Sequence, residues 1–190
     1  MSGLESGAGG AETVQVVLIG LRGAGKSAVG RALAERLGCA FIDTDRWVEE
    51  RLQTSIRALF DAGQEDRFRR AEGDALGAAL RERPVVIATG GGIVERPSHR
   101  ALLRDPFTVW LQASPETLAA RCAGSDRPSL VDAAGQAEAP ELLEARVMLA
   151  RRRPHYEACS TLSVSTEGLS VDEVCDAIEQ GWRRSAHDRS

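Results

Sequence analysis

The segment VVLIGLRGAGKSAVGRALAERL, residues 16–37, constrains this chain more than any other. Val14 to Ile19 is a short apolar run suited to a strand buried on both faces. A glycine-rich turn follows at once. From Lys26 onward, Val29, Leu33 and Leu37 recur at helical spacing, and Gly38 supplies a stop. A buried strand that runs directly into an amphipathic helix is the opening of an alternating α/β architecture.

The rest of the chain continues the alternation. Ala40 to Ile42 reads as a second strand ending at Asp43, and Arg46 to Arg83 as helix in several pieces, broken near Thr54 and Gly63. Val85 to Ala88 is a third strand opened by Pro84 and closed by TGGG; Arg96 to Arg104 is a short helix, and Phe107 to Leu111 a fourth strand. Ser114-Pro115-Glu116 is a helix start, with a capping hydroxyl and proline at the first helical position. Residues 124–140 are rich in Ala, Gly, Ser, Pro and Asp without period, and read as a mobile loop. Glu141 to Tyr156 is an arginine-rich helix with Pro154 near its end, Thr161 to Val164 a fifth strand, and Ser170 to Trp182 the last helix. The expectation is a three-layer α/β/α fold with a five-stranded parallel sheet, its ligands beyond the carboxyl ends of the strands.

The 190 residues suit one domain, and with aromatics at 4% the core must be filled by aliphatic side chains. A net charge of −4 argues against a general nucleic-acid binder. Cys39, Cys122, Cys159 and Cys175 are scattered, without a C-x-x-C pair, and read as reduced thiols. The chain has no apolar stretch of membrane-spanning length, and residues 1–13 lack the basic and apolar regions of a signal peptide. They read as a disordered tail, as do residues 183–190, and the expected compartment is the cytoplasm.

Lys26 is the only lysine, against 23 arginines. It stands in Gly20-Leu21-Arg22-Gly23-Ala24-Gly25-Lys26-Ser27, which fits G-x-x-x-x-G-K-[ST] with the required strand before and helix after. In such a loop backbone N–H groups close around phosphates at a helix N-terminus. Lysine reaches the β- and γ-phosphates as a slender point charge where a planar guanidinium is too wide, and the Ser27 hydroxyl lies on Mg²⁺. In FIDTD, Asp43 and Asp45 share one side or one turn at a strand end. Near Mg²⁺ and a γ-phosphate, one could hold the metal's water shell, and the other could orient a hydroxyl or take its proton. Thr89-Gly90-Gly91-Gly92 lets backbone approach a ligand closely. Arginines at 69, 70, 127, 151, 152 and 153 offer forks for carboxylate and phosphate.

Taken in order, GLRGAGKS, FIDTD, the FRR and E of Phe68 to Glu72, ATGGG, DRP and RRRPHY resemble the shikimate kinase family, from about residue 14 to 182. The resemblance implies a P-loop kinase domain over 14–182, with a helical substrate-binding insert at about 44–73 and a lid at about 123–140. It implies transfer of the ATP γ-phosphate to the 3-hydroxyl of shikimate, with Mg²⁺, by a monomer; no nucleic-acid or membrane partner is expected. By position, Gly23, Ala24, Gly25, Lys26, Ser27 and Ala28 resemble the nucleotide loop, and Ser27 and Asp43 the metal-holding pair. Asp45 is similar to the residue that binds the acceptor hydroxyl and serves as base, and Arg69 and Arg152 to the pair that grips the substrate carboxylate. Gly91 and Gly92 resemble the backbone that touches substrate, Arg127 the lid arginine on the phosphates, Arg121 an arginine by the adenine, and Glu72 a group that orients the substrate-side arginines. Ala28 departs from the family's second hydroxyl, and Gln64 from its glycine before Glu65. Rival readings are a gluconate kinase of the same group, a P-loop switch, and an inactive scaffold. The switch lacks an N-K-x-D motif because the sole lysine is already used, and Lys26, Ser27, Asp43 and Asp45 speak against the scaffold.

Overall fold

The computed structural model describes residues 14–123 and 139–187. Its strands are β1 (Gln15–Ile19), β2 (Ala40–Asp43), β3 (Val85–Ala88), β4 (Phe107–Gln112) and β5 (Leu162–Ser165), and its helices α1 (Lys26–Leu37), α2 (Thr44–Leu52), α3 (Ile56–Asp61), α4 (Glu65–Ala79), α5 (Pro97–Leu102), α6 (Pro115–Cys122), α7 (Pro140–Cys159) and α8 (Val171–His187). The strands form one parallel sheet in the order β2-β3-β1-β4-β5. The central strands β1 and β3 are buried at every position, as expected for strands covered by helices on both faces. The core is largely Val, Leu and Ile, with Phe107, Trp110 and Tyr156 as its large rings. A second cluster of Val48, Ile56, Leu59, Phe68, Ala71 and Ala75 holds α2, α3 and α4 together, so the helical insert has its own small core.

Register does the work of assembly. Leu18 of β1 and Asp43 of β2 both pair with Ala88 of β3, and Ile19 pairs with Trp110 of β4. The loops after β1, β2 and β3 therefore leave the sheet at one level and side by side. Thr89 tightens this junction, donating from both its backbone N–H and its hydroxyl to the Leu18 carbonyl, at 3.1 and 3.0 Å.

Two expectations need correction. The C-terminal segment from residue 183 is not a tail throughout: α8 runs on through His187, with Val174, Cys175, Ile178 and Gly181 buried and the salt bridge of Arg183 to Glu179 on its flank. The sequence reading stopped at Trp182 because only polar residues and Ala follow, yet a helix already docked by its apolar stripe extends without further burial. Likewise α7, read as ending at Tyr156 with Pro154 near its end, runs three residues further, to Cys159. The expected breaks near Thr54 and Gly63 stand between α2, α3 and α4. The N-terminal tail and nearly all of the lid, Arg127 included, lie outside the described residues. All four cysteines are free thiols. Among the described residues, no helix is long and apolar enough to cross a membrane.

Candidate active site

The loop between β1 and α1 is built for an anion. Gly20 has φ +140°, and a Cβ there would lie 2.5 Å from the Leu111 carbonyl oxygen, so only glycine lets the loop leave the sheet this way. Gly25 caps α1 without any side-chain hydrogen bond, and the first turn of α1 carries no acid. By contrast, Asp43, Ser55 and Ser114 cap α2, α3 and α6 through their side chains. The N–H groups at the start of α1 are thus left for a ligand, where the helix dipole favours negative charge. The Lys26 ammonium folds back over the loop and donates to the carbonyls of Gly20 and Leu21, each at 2.8 Å. Gly23 and Ala24 line the same turn, Ala24 buried, while Ala28 faces outward.

Asp43 sits where β2 becomes α2. Its Oδ1 accepts from the backbone N–H of Asp45 and Arg46 at 3.1 and 3.3 Å, and its Oδ2 accepts from the Ser27 hydroxyl at 2.7 Å. Of the two placements open to the aspartates, the structure adopts the shared turn. Ser27 and Asp43 form a pair of hard oxygen donors beside the phosphate loop. That set suits Mg²⁺, which keeps most of its water and takes only one or two protein oxygens. Among the described residues no group of three or more His, Cys, Asp or Glu side chains is arranged to hold a metal.

Asp45, 8% exposed, points across the Gly90 backbone toward Glu72: a Cβ on Gly90 would meet Asp45 Oδ1 at 2.6 Å and Glu72 Oε1 at 2.5 Å. Glu72 is fully buried on α4. Its Oε2 accepts from Arg69 at 3.0 Å, while Oε1 has no hydrogen-bond partner among the described residues. Burial pushes Glu72 up to about 7, with the neighbouring Asp45 charge adding to the rise and Arg69 and Arg152 opposing it. His99 packs on Gly73 with its Nδ1 3.9 Å from Glu72, and burial, then Arg96 and Arg69, push it below the ordinary imidazole value.

Glu72 thereby gives stability a pH dependence. The folded state holds a proton that the unfolded chain releases, so the contribution of the neutral carboxyl is full below pH 4.5 and is lost as pH rises to about 7. Glu72→Gln is neutral at every pH. Urea unfolding should show wild type losing stability relative to this variant across that window; parallel curves would mean that Glu72 is ionised throughout.

Arg69 and Arg152 are brought together, as the resemblance implies. Both are buried, at 5% and 4% exposure. Arg69 lies against the paired rings of Phe60 and Phe68, and a Cβ on Gly92 would strike its guanidinium. Burial opposes its charge, but Glu72, Glu95 and Glu65 outweigh it and hold the group above its ordinary value. Arg152 approaches Gly91 from α7, where Tyr156 also donates to the Gly91 carbonyl at 2.5 Å and stacks on Trp110. One cavity joins these parts, lined by Leu21 and Arg22 of the phosphate loop, by Asp45, Glu72 and Gly90 to Gly92, and by Arg69 and Arg152. Arg121 lies elsewhere: on α6, it donates to the Gly23 carbonyl at 3.3 Å and to Thr166 at 2.9 Å, tying the outer turn of the loop to the segment after β5.

Three participants escaped the sequence reading. Glu95 pairs with Arg69, Arg151 and Arg152. Arg22 pairs with Glu144 of α7 at 3.6 Å. Tyr156 was visible only as the end of RRRPHY. None is marked by spacing, since each acts across elements distant in sequence.

Comparison with known proteins agrees with this geometry. The family model for shikimate kinase matches residues 22–182. The shikimate kinase of Symbiobacterium thermophilum is 42% identical over 170 residues, covering 87% of this chain and 94% of that protein. The structure of Acinetobacter baumannii shikimate kinase in complex with shikimate matches with a TM-score of 0.81 at 31% identity, covering 89% of this chain and 93% of that one. A gluconokinase from Sinorhizobium meliloti, with a TM-score of 0.60 at 22% identity over 94% of this chain and 96% of its own, shares the fold. Matched along most of its length by the family model and by a relative at 42% identity, this chain belongs to the shikimate kinase family.

Proposed function

We propose that this chain performs the reaction of its family with the residues assigned below. It transfers the γ-phosphate of ATP to the 3-hydroxyl of shikimate, giving shikimate 3-phosphate and ADP, on the route to chorismate and the aromatic amino acids. The observation that carries this reading is the single cavity reaching from the phosphate loop past Asp45 to the buried guanidiniums of Arg69 and Arg152.

The phosphates of ATP lie on the N–H groups from Gly23 to Ala28, and Lys26 exchanges its loop carbonyls for phosphate oxygens. Ser27 and Asp43 hold Mg²⁺, which when bound neutralises phosphate charge. At the other end, Arg69 and Arg152 grip the carboxylate of the acceptor, and the backbone at Gly91 and Gly92 closes on its ring. This leaves the reacting hydroxyl at Asp45, which orients it and takes its proton as the bond to phosphorus forms. The transfer is direct and in line, without a covalent enzyme intermediate, so catalysis is mostly positioning and charge neutralisation. Glu72 orients Arg69. Arg121 is assigned to the adenine side, and Arg127, outside the described residues, to the phosphates. The form proposed is a monomer in the cytoplasm, a compartment with which four free thiols are in keeping.

The experiment is ADP release in a coupled assay with shikimate or gluconate as acceptor. Release should depend on shikimate; stimulation by gluconate alone would overturn the assignment of the acceptor.

A further inference from the structure

Two buried arginines side by side repel, and something must neutralise them while leaving their ligand-facing N–H groups free. Glu72 serves Arg69 alone by hydrogen bonding. Glu95, three residues beyond the last glycine of TGGG, reaches both: its Oε2 lies 3.0 Å from Arg69, and its Oε1 accepts from Arg152 Nε at 3.0 Å. Arg151 reaches the same Oε1 from the exposed side of α7. One oxygen to each guanidinium is a bridge between α4 and α7, which share no other described ion pair here. Burial would raise Glu95, but Arg152, Arg69 and Arg151 hold its carboxyl below the ordinary range, so the bridge is charged at neutral pH.

The bridge does not fill the cavity. Arg69 and Arg152 line it, whereas Glu95 stands outside the lining. Arg152 meets Glu95 Oε1 with its Nε and with Nη2, each at 3.0 Å, and its other terminal nitrogen, Nη1, is the one a Cβ on Gly91 would meet at 3.6 Å. A carboxylate behind the pair and guanidinium edges turned to the glycines in front is the arrangement of a clamp held open.

The geometry points to Glu95 as a positioning residue for acceptor recognition: it fixes the spacing and orientation of Arg69 and Arg152, so that their front edges meet a carboxylate on the substrate. This rests on the assignment of those arginines to the substrate carboxylate. Glu95 touches neither the transferred phosphoryl group nor the reacting hydroxyl, and its effect is confined to acids as opposed to uncharged acceptors. The alternative, in which Glu95 competes with the substrate for the same N–H groups, predicts the opposite sign.

The test compares Glu95→Gln with wild type using shikimate and its methyl ester as acceptors. Gln keeps the shape and one acceptor but removes the charge. KM for shikimate should rise about tenfold, with KM for the ester and KM for ATP changed little, as expected for loss of a charged partner. A fall in KM for shikimate, or an equal rise for acid and ester, would overturn the inference. If Glu95→Gln does not fold, Glu95→Asp takes its place with the same split expected between acid and ester. Arg152→Gln is measured in parallel. A raised KM for the acid there with none in the Glu95 variant sinks the positioning role and leaves the clamp, whereas no change in Arg152→Gln removes the clamp itself and Glu95 with it.

Discussion

Lys26→Met should lower kcat by about a thousandfold or more and leave a folded protein. The size follows from what the ammonium does. It is a point charge at the mouth of a helix whose N-terminal N–H groups have no side-chain cap, and in the proposed reaction it replaces the solvent that would otherwise stabilise charge on the moving phosphoryl group. Methionine keeps the length and apolar stem. It forfeits the hydrogen bonds to the Gly20 and Leu21 carbonyls, a loss of about 1–3 kcal/mol that a domain of this size survives. Circular dichroism and thermal unfolding check the fold, and a coupled assay the rate. Lys26→Arg is the sharper variant: if the site needs a narrow cation, arginine should restore little of the activity despite keeping the charge. Turnover near wild type in either variant would remove Lys26 from the reaction.

Asp45→Asn should lower kcat by about a hundred- to ten-thousandfold, with KM for ATP nearly unchanged. Asn is isosteric, so α2 and its Asp43 cap remain, and the nucleotide loop is untouched. What is lost is the base proposed for the acceptor hydroxyl. A second readout is independent of turnover. The Asp45 charge helps to raise Glu72, so its removal should move Glu72 toward the ordinary carboxylate value and shrink the pH-dependent loss of stability described above. An unchanged kcat would exclude Asp45 from the chemistry, and an unchanged stability profile would mean that the two carboxylates do not interact.

The parts of this protein that local chemistry dictates were readable. Apolar runs at Val16 to Ile19 and Val85 to Ala88 gave central strands because both faces are covered and no alternation is needed. The glycine-lysine loop, the Ser114 cap and the breaks near Thr54 and Gly63 each follow from a handful of neighbouring residues. What escaped depends on distance in sequence. That Asp43 and Ser27 touch, a pairing the sequence carried only through the resemblance, follows from β2 and β1 both registering on Ala88 of β3. Glu95 looks like any solvated acid in VERP until α4 and α7 bring guanidiniums to both its oxygens. The end of α8 was misplaced for a related reason: its last turn is held by the helix before it and not by any apolar residue of its own. Placement of Asp45, Arg69 and Arg152 came from resemblance in the ordered motifs; composition and spacing alone left them among many acids and arginines.

The close approach of Gly20 to the Leu111 carbonyl has a temporal meaning. The phosphate loop is translated ahead of its surroundings: the wall against which it takes shape belongs to a strand more than eighty residues later, and the neighbour on its other side, β3, also emerges well after it. A ribosome that has released only the first strand and helix therefore carries an unformed nucleotide cradle. Competence to bind ATP arrives late in synthesis, together with the acceptor-binding half, so an unfinished chain has no means of engaging the nucleotide without the rest of the machine in place.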